Sequence, residues 1–127
     1  MATTTVVTTA AKRKMLLARA GKAALPTIAG MAFGTGGVDS SGNVKTYASG
    51  AAKLNNEVFR KRIDKYEVIS DTDVRYTCTI SSKELNGTNI SEIGLYDTAG
   101  DIVAMKCFAA KGKDSGEEMV FECDDKF

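Results

Sequence analysis

Val74-Arg75-Tyr76-Thr77-Cys78-Thr79-Ile80-Ser81 alternates with a period of two. Val74, Tyr76, Cys78 and Ile80 fall on one face, and Arg75, Thr77, Thr79 and Ser81 on the other, the pattern of a strand with one side buried. Working outward, Tyr66-Glu67-Val68-Ile69 reads as a short strand before it, and Met119, Phe121 and Cys123 alternate with Val120 and Glu122 in a last strand after it. Glu92-Ile93-Gly94-Leu95-Tyr96 and Asp101 to Phe108 form a hairpin pattern around Thr98-Ala99-Gly100, where glycine suits a positive φ. Nearer the start, Ile28 to Gly34 reads as a strand running into a glycine-rich turn. Thr35 to Gly50 has no periodic apolar face and reads as a loop, and order resumes over Leu54-Asn55-Asn56-Glu57-Val58-Phe59-Arg60. Val74, Tyr76, Cys78, Ile80, Ile93, Leu95, Met119 and Phe121 are the expected core.

The first part of the chain has another period. Thr8 or Thr9 can cap a helix running through AAKRKMLLARA to Gly21, which suits the left-handed residue after a helix, with Pro26 beyond. Ala11, Met15 and Ala18 make an apolar stripe at helical spacing, flanked by Leu16 and Leu17, that can lie against a core or a neighbour. The expected class is therefore α+β, mainly β: an N-terminal helix followed by an antiparallel β-sheet or small sandwich. One domain over 1–127 is expected, with an extended arm at 1–9, a basic helix at 10–21 and a β-rich body at 28–127.

Charge is uneven. Residues 1–38 carry Lys12, Arg13, Lys14, Arg19 and Lys22 and none of the chain's 16 acids, although the whole chain is only +1. A basic head on an acidic body suits head-to-body assembly or an acidic partner. Lys12, Arg13 and Lys14 also occupy the first turns of the helix, where its dipole disfavours cations by a few tenths of a kcal/mol each, about the size of one surface contact. A local cost without local benefit points to a contact surface.

Chemistry is poorly provided for. The chain has His 0, so the imidazole base and the commonest nitrogen ligand of metals are missing. Cys78, Cys107 and Cys123 are odd in number, lack Cys-x-x-Cys spacing and lie in apolar alternating segments, which reads as buried thiols made in a reducing compartment. Gly34-x-Gly36-Gly37 follows a strand, but Asp39 stands where a dinucleotide fingerprint needs its third glycine, and no helix follows. Asp71 and Asp73, Glu117 and Glu118, and Asp124 and Asp125 are acid pairs at turns or near the end of the chain, expected to be solvated rather than catalytic. Asp39-Ser40-Ser41-Gly42-Asn43 offers oxygens but not the remaining ligands of a calcium loop. Lys106 shares a strand face with Ile102, Ala104 and Phe108, as at a sheet margin or a subunit contact. No uncharged run is long enough to span a bilayer; Ala23 to Val38 is broken by Pro26 and four glycines. The expectation is no enzyme, no cofactor and no metal.

Four segments carry a resemblance: Ile28-Ala29-Gly30-Met31-Ala32-Phe33-Gly34-Thr35-Gly36-Gly37, Leu54-Asn55-Asn56-Glu57-Val58-Phe59-Arg60, Ile90-Ser91-Glu92-Ile93-Gly94-Leu95-Tyr96-Asp97 and Gly100-Asp101-Ile102-Val103-Ala104. In order and spacing they resemble the N-terminal domain of phage tail-collar fibre proteins, over about residues 10–108. The resemblance implies a structural protein of a phage tail or a contractile bacteriocin particle, made in the bacterial cytoplasm. Its implied partners are sister subunits in a homotrimer and baseplate or tail-fibre proteins. Family fibres carry a shaft and receptor-binding tip beyond this domain; a sequence ending at Phe127 is expected to serve as a baseplate or adaptor component. The expected partner-binding residues are Lys12, Arg13, Lys14 and Arg19 on the helix and Thr5, Val6 and Val7 on the arm, whose strand propensity suits pairing with a neighbour. The other reading of the basic helix is a small nucleic-acid-binding protein, which steep salt-dependent retention on DNA would reveal.

Overall fold

A computed structural model describes residues 5–127; residues 1–4 of the expected arm lie outside the described residues. The order is β1 (Val6–Val7), α1 (Thr9–Arg19), β2 (Ile28–Gly34), β3 (Glu57–Arg62), β4 (Lys65–Ser70), β5 (Asp73–Ile80), β6 (Asn89–Asp97), β7 (Ile102–Gly112) and β8 (Met119–Lys126). The strands form two antiparallel sheets, β1-β7-β6-β2-β3 and β4-β5-β8. Helix α1 is the only helix among the described residues and starts and stops as the caps dictate. Thr8 is its N-cap, accepting from the Ala11 amide, and Gly21 takes φ +76° after the last turn.

Alternation puts one face of each sheet against the other. Met31 and Phe33 of β2 and Ile93 and Leu95 of β6 meet Cys78 and Ile80 of β5 and Phe121 and Cys123 of β8 in one cluster. Phe33 meets Phe121 edge to face, with ring centroids 5.3 Å apart, a pair that adds about 1 kcal/mol beyond its buried area. Of the expected core, Cys78, Ile80, Ile93, Leu95 and Phe121 are fully buried. Val74, Tyr76 and Met119 are half-buried, because the larger sheet does not cover the whole of β5 and β8. The three cysteines are buried free thiols, and burial pushes Cys123 up to about 12.

The register differs from the alternation read in β7. A shift between Leu95 and Tyr96 sets Ala104 opposite Leu95 and Lys106 opposite Ile93 on the inner face, while Ile102 pairs with Tyr96. Ile102 consequently packs on the other side of the sheet, with Tyr47, Leu54, Met105 and Cys107. A bulge of this kind reverses the facing of every residue beyond it, so Lys106 shares its face with Ala104 and Phe108 but not with Ile102.

That second cluster also revises the segment read as a plain loop. Residues 35–56 fold over the outer face of the larger sheet, and Tyr47 and Leu54 are 9% and 3% exposed. Period-based reading misses it because the segment contributes isolated anchors rather than a repeating face.

Lys113, just beyond the end of β7, is 1% exposed. Its Nζ donates to Asn86 Oδ1 at 2.8 Å and to the Asp114 carbonyl at 3.0 Å, tying the 81–88 loop to the end of β7. Both acceptors are neutral, so Asn86→Asp would supply a counter-charge at the same position. A gain of about 0.5–1 kcal/mol is expected in urea unfolding at neutral pH. It should disappear below pH ~4 as the new carboxylate is protonated; an unchanged midpoint would refute it.

Candidate assembly site

Strand β6 organises both the loop cover and the helix, and it does so through Ser91, Glu92, Gly94, Tyr96 and Asp97. Glu92 points to the outer face and is 0% exposed. Its Oε1 accepts from the Tyr47 hydroxyl and the Asn55 amide, both at 2.8 Å, and its Oε2 from the amides of Gly36 at 2.9 Å and Asn56 at 2.8 Å. Beside it, Ser91 Oγ accepts from the Gly37 amide at 2.8 Å. The amides of Gly36, Asn55 and Asn56 thus converge on one carboxylate of the same chain, and with the Gly37 amide given to Ser91 the Gly34-x-Gly36-Gly37 turn spends these donors inside the fold. Gly94 keeps the surface low, since a Cβ there would meet Leu54 Cδ2 and Ile102 Cγ2, each at 3.2 Å. The Arg60 guanidinium lies 4.8 Å from the Tyr96 ring centre.

Asp97 works at the other end of the strand and is 1% exposed. Oδ1 accepts from the amides of Ala99 and Asp101, closing the β6–β7 turn, and Oδ2 accepts from Lys14 Nζ at 2.6 Å. Lys14 also reaches Asp101 at 2.7 Å. The hydrogen bonds that Lys14 donates to Asp101 and Asp97 raise the pKa of its ammonium. Burial pushes Asp97 up, yet the Lys14 ammonium and the two amides outweigh it and hold the carboxyl below its usual range. The arm is fixed from the same side. Val6 and Val7 pair with Met105 and Ala104 of β7, and the buried Thr8 donates from Oγ1 to the Ile102 carbonyl at 2.7 Å.

The residues expected to bind partners therefore separate. Lys14 turns inward and holds α1 to the β6–β7 turn, while Val6 and Val7 are paired within their own chain, with Thr5 half-buried beside them. Lys12, Arg13 and Arg19 are exposed and form no ion pair among the described residues. Of the two readings of the Ala11, Met15 and Ala18 stripe, the structure turns it toward its own chain's body, and Leu16 and Leu17 face out, 62% and 36% exposed. Sequence reasoning missed Glu92 and Asp97 as organising residues. The signal was available in Glu92, an acid inside an otherwise apolar strand, but its partners lie 36 to 56 positions away.

Lys14→Met keeps the aliphatic stem and removes the charge. A loss of about 1–2 kcal/mol is expected, with the amides of α1 exchanging about tenfold faster. Because the folded Asp97 carboxyl is more acidic than its unfolded reference of 3.8, its contribution is complete above that pH and is lost as pH falls through the folded value. The variant should lose that part of the acid sensitivity. Equal exchange rates in α1 would show that the ion pair does not hold the helix.

Among the acid pairs, Asp73 departs from expectation. It is 6% exposed, lying beside Asp124, which accepts from Arg75 Nε at 2.8 Å. Burial and then the Asp124 charge raise Asp73, while Arg75 lowers Asp124. Asp39 spends its carboxylate on the amides of Ser41 and Asn43 in its own turn. Among the described residues, no three Cys, Asp or Glu side chains gather as metal ligands, and no helix is long and apolar enough to cross a membrane.

Carboxylates used to pin loops and a helix onto a β-sandwich define a structural domain. The chain matches the family model of the phage tail-collar fibre protein, N-terminal, over residues 1–122 of 127, and it belongs to that family. It is a structural protein of phage tails. Searches of curated proteins and of solved structures found no match.

Proposed function

We propose that the chain joins baseplate to tail fibre, as an attachment or adaptor component of a phage tail or contractile bacteriocin particle, and that α1 is its docking element. One observation carries this reading: Lys12 and Arg13, the fourth and fifth residues of α1, are exposed and have no carboxylate partner among the described residues. Lys14, one position on, has two. Cations left in that position serve an acidic surface on a neighbour, a tail protein or a sister subunit. Val6 and Val7 support the docking by fixing the start of the helix against β7.

Reversal of Lys12, Arg13 and Arg19 to Glu should leave the fold intact, since all three side chains are exposed. Incorporation into tail particles should fall about tenfold, and moderate salt should weaken the wild-type contact as well. Normal incorporation of the reversed variant, with no salt effect, would refute the docking role.

A further inference from the structure

Between α1, the 21–28 segment and the open end of the two sheets lies a hollow of about 270 Å³, lined by Met15, Leu25, Ile28, Tyr76, Phe127 and Asp125 among others. Its lips are apolar and uncovered: Leu25 is 52% and Phe127 66% exposed. Two further carboxyl and amine groups border it, Asp97 and Lys14, and they neutralise each other. Asp125 is different. No side chain or amide among the described residues donates to its carboxylate, and burial alone raises it. The hollow thus suits an occupant that brings apolar side chains together with a cation.

The same chain displays such an occupant. On the outward half of α1, Leu16 and Leu17 stand between Lys12 and Arg13 on one side and Arg19 on the other, with no ion pair to any of the three cations among the described residues. A single copy cannot satisfy both surfaces, because the hollow lies against the inward face of α1, with Ala11, Lys14 and Met15, whereas the leucines and cations occupy the opposite face. The surfaces are complementary in charge and in apolar character, and both are repeated in every copy. Such head-to-tail contacts close into a ring where the rotation allows it and otherwise run on as a filament.

We propose that the Leu16–Leu17 face of α1 in one copy seats in the hollow of a second copy, with an α1 cation meeting Asp125 there. The proposal rests on the reading of the chain as an assembly component and names one of its contacts.

The test is the mass of the purified full chain in solution, by light scattering and sedimentation across a concentration series. The wild type is expected to form multimers of its 13.5 kDa unit. Leu16→Glu with Leu17→Glu should raise the concentration for half-assembly about 100-fold, since two apolar anchors are lost from the centre of the contact. Asp125→Lys should weaken assembly similarly, and combining it with Arg13→Glu and Arg19→Glu should restore it. Circular dichroism confirms that each variant is folded. A wild type of single-chain mass at every concentration, or leucine variants that assemble normally, would overturn the proposal. So would failure of the charge swap to restore assembly. A chain that is monomeric alone yet enters tail particles overturns the self-contact only; a chain that multimerises but never enters particles overturns the tail-docking reading instead.

Discussion

Glu92→Ala is expected to cost about 4 kcal/mol, a large share of the 5–15 kcal/mol that holds a domain of this size. The substitution strands three backbone amides and one phenol that Glu92 now satisfies at 2.8–2.9 Å. Each unsatisfied buried donor costs about 1–3 kcal/mol, less where water can enter, and Asn55 and Asn56 sit in exposed positions where it can. Glu92→Gln should fall between: its amide oxygen still accepts, but its NH₂ is forced against donors. Tyr47→Phe removes one donor and should cost about 1 kcal/mol. Urea unfolding of the three variants should rank them Ala, Gln, Phe from most to least destabilised. A loss under about 1 kcal/mol for Glu92→Ala would mean that residues 35–56 do not depend on this carboxylate.

Gly37→Ala is the second large effect. A Cβ on Gly37 would overlap the carbonyl oxygen and carbon of Ser91, both backbone atoms of the central strand β6. Nothing flexible can yield, so the loop must lift and release the Gly37 amide from Ser91 Oγ. A cost of about 3 kcal/mol is expected. Gly42→Ala is the control. Gly42 has φ +82° with open space around it, so only backbone strain of about 1 kcal/mol applies. Comparable losses at the two sites would show that close approach at Gly37 is not the constraint.

Most of the strand body is legible in the order of residues alone. The alternation in Val74 to Ile80, Ile93 to Leu95 and Met119 to Cys123 reports which side is buried, and each pattern is local. Thr8 and Gly21 bound α1 for the same reason, because capping involves neighbours along the chain. The facing of Ile102 is not legible in this way: the irregularity between Leu95 and Tyr96 depends on the partner strand, and one residue of shift moves a side chain to the opposite face. Lys113 looks like a turn residue because its acceptors include a loop side chain 27 positions earlier. Lys14 and Lys12 are indistinguishable by composition, yet one is bound to Asp97 and Asp101 and the other is exposed and forms no ion pair among the described residues.

Of the four segments that carry the family resemblance, three contain the Ser91-Glu92-Ile93-Gly94-Leu95-Tyr96-Asp97 stretch, Gly34 to Gly37 and Leu54 to Arg60, pieces with no evident relation along the chain. Their relation is spatial, since Glu92 accepts from Gly36, Asn55 and Asn56 at once. By itself the sequence determined the periods, the caps and the imbalance of charge, all properties of residues close together in the chain. Only the tertiary structure decided which cation is spent inside the fold, which carboxylate gathers the amides of Gly36, Asn55 and Asn56 and which leucines remain uncovered, because a hydrogen bond or a buried face is created by a neighbour that the fold brings from elsewhere.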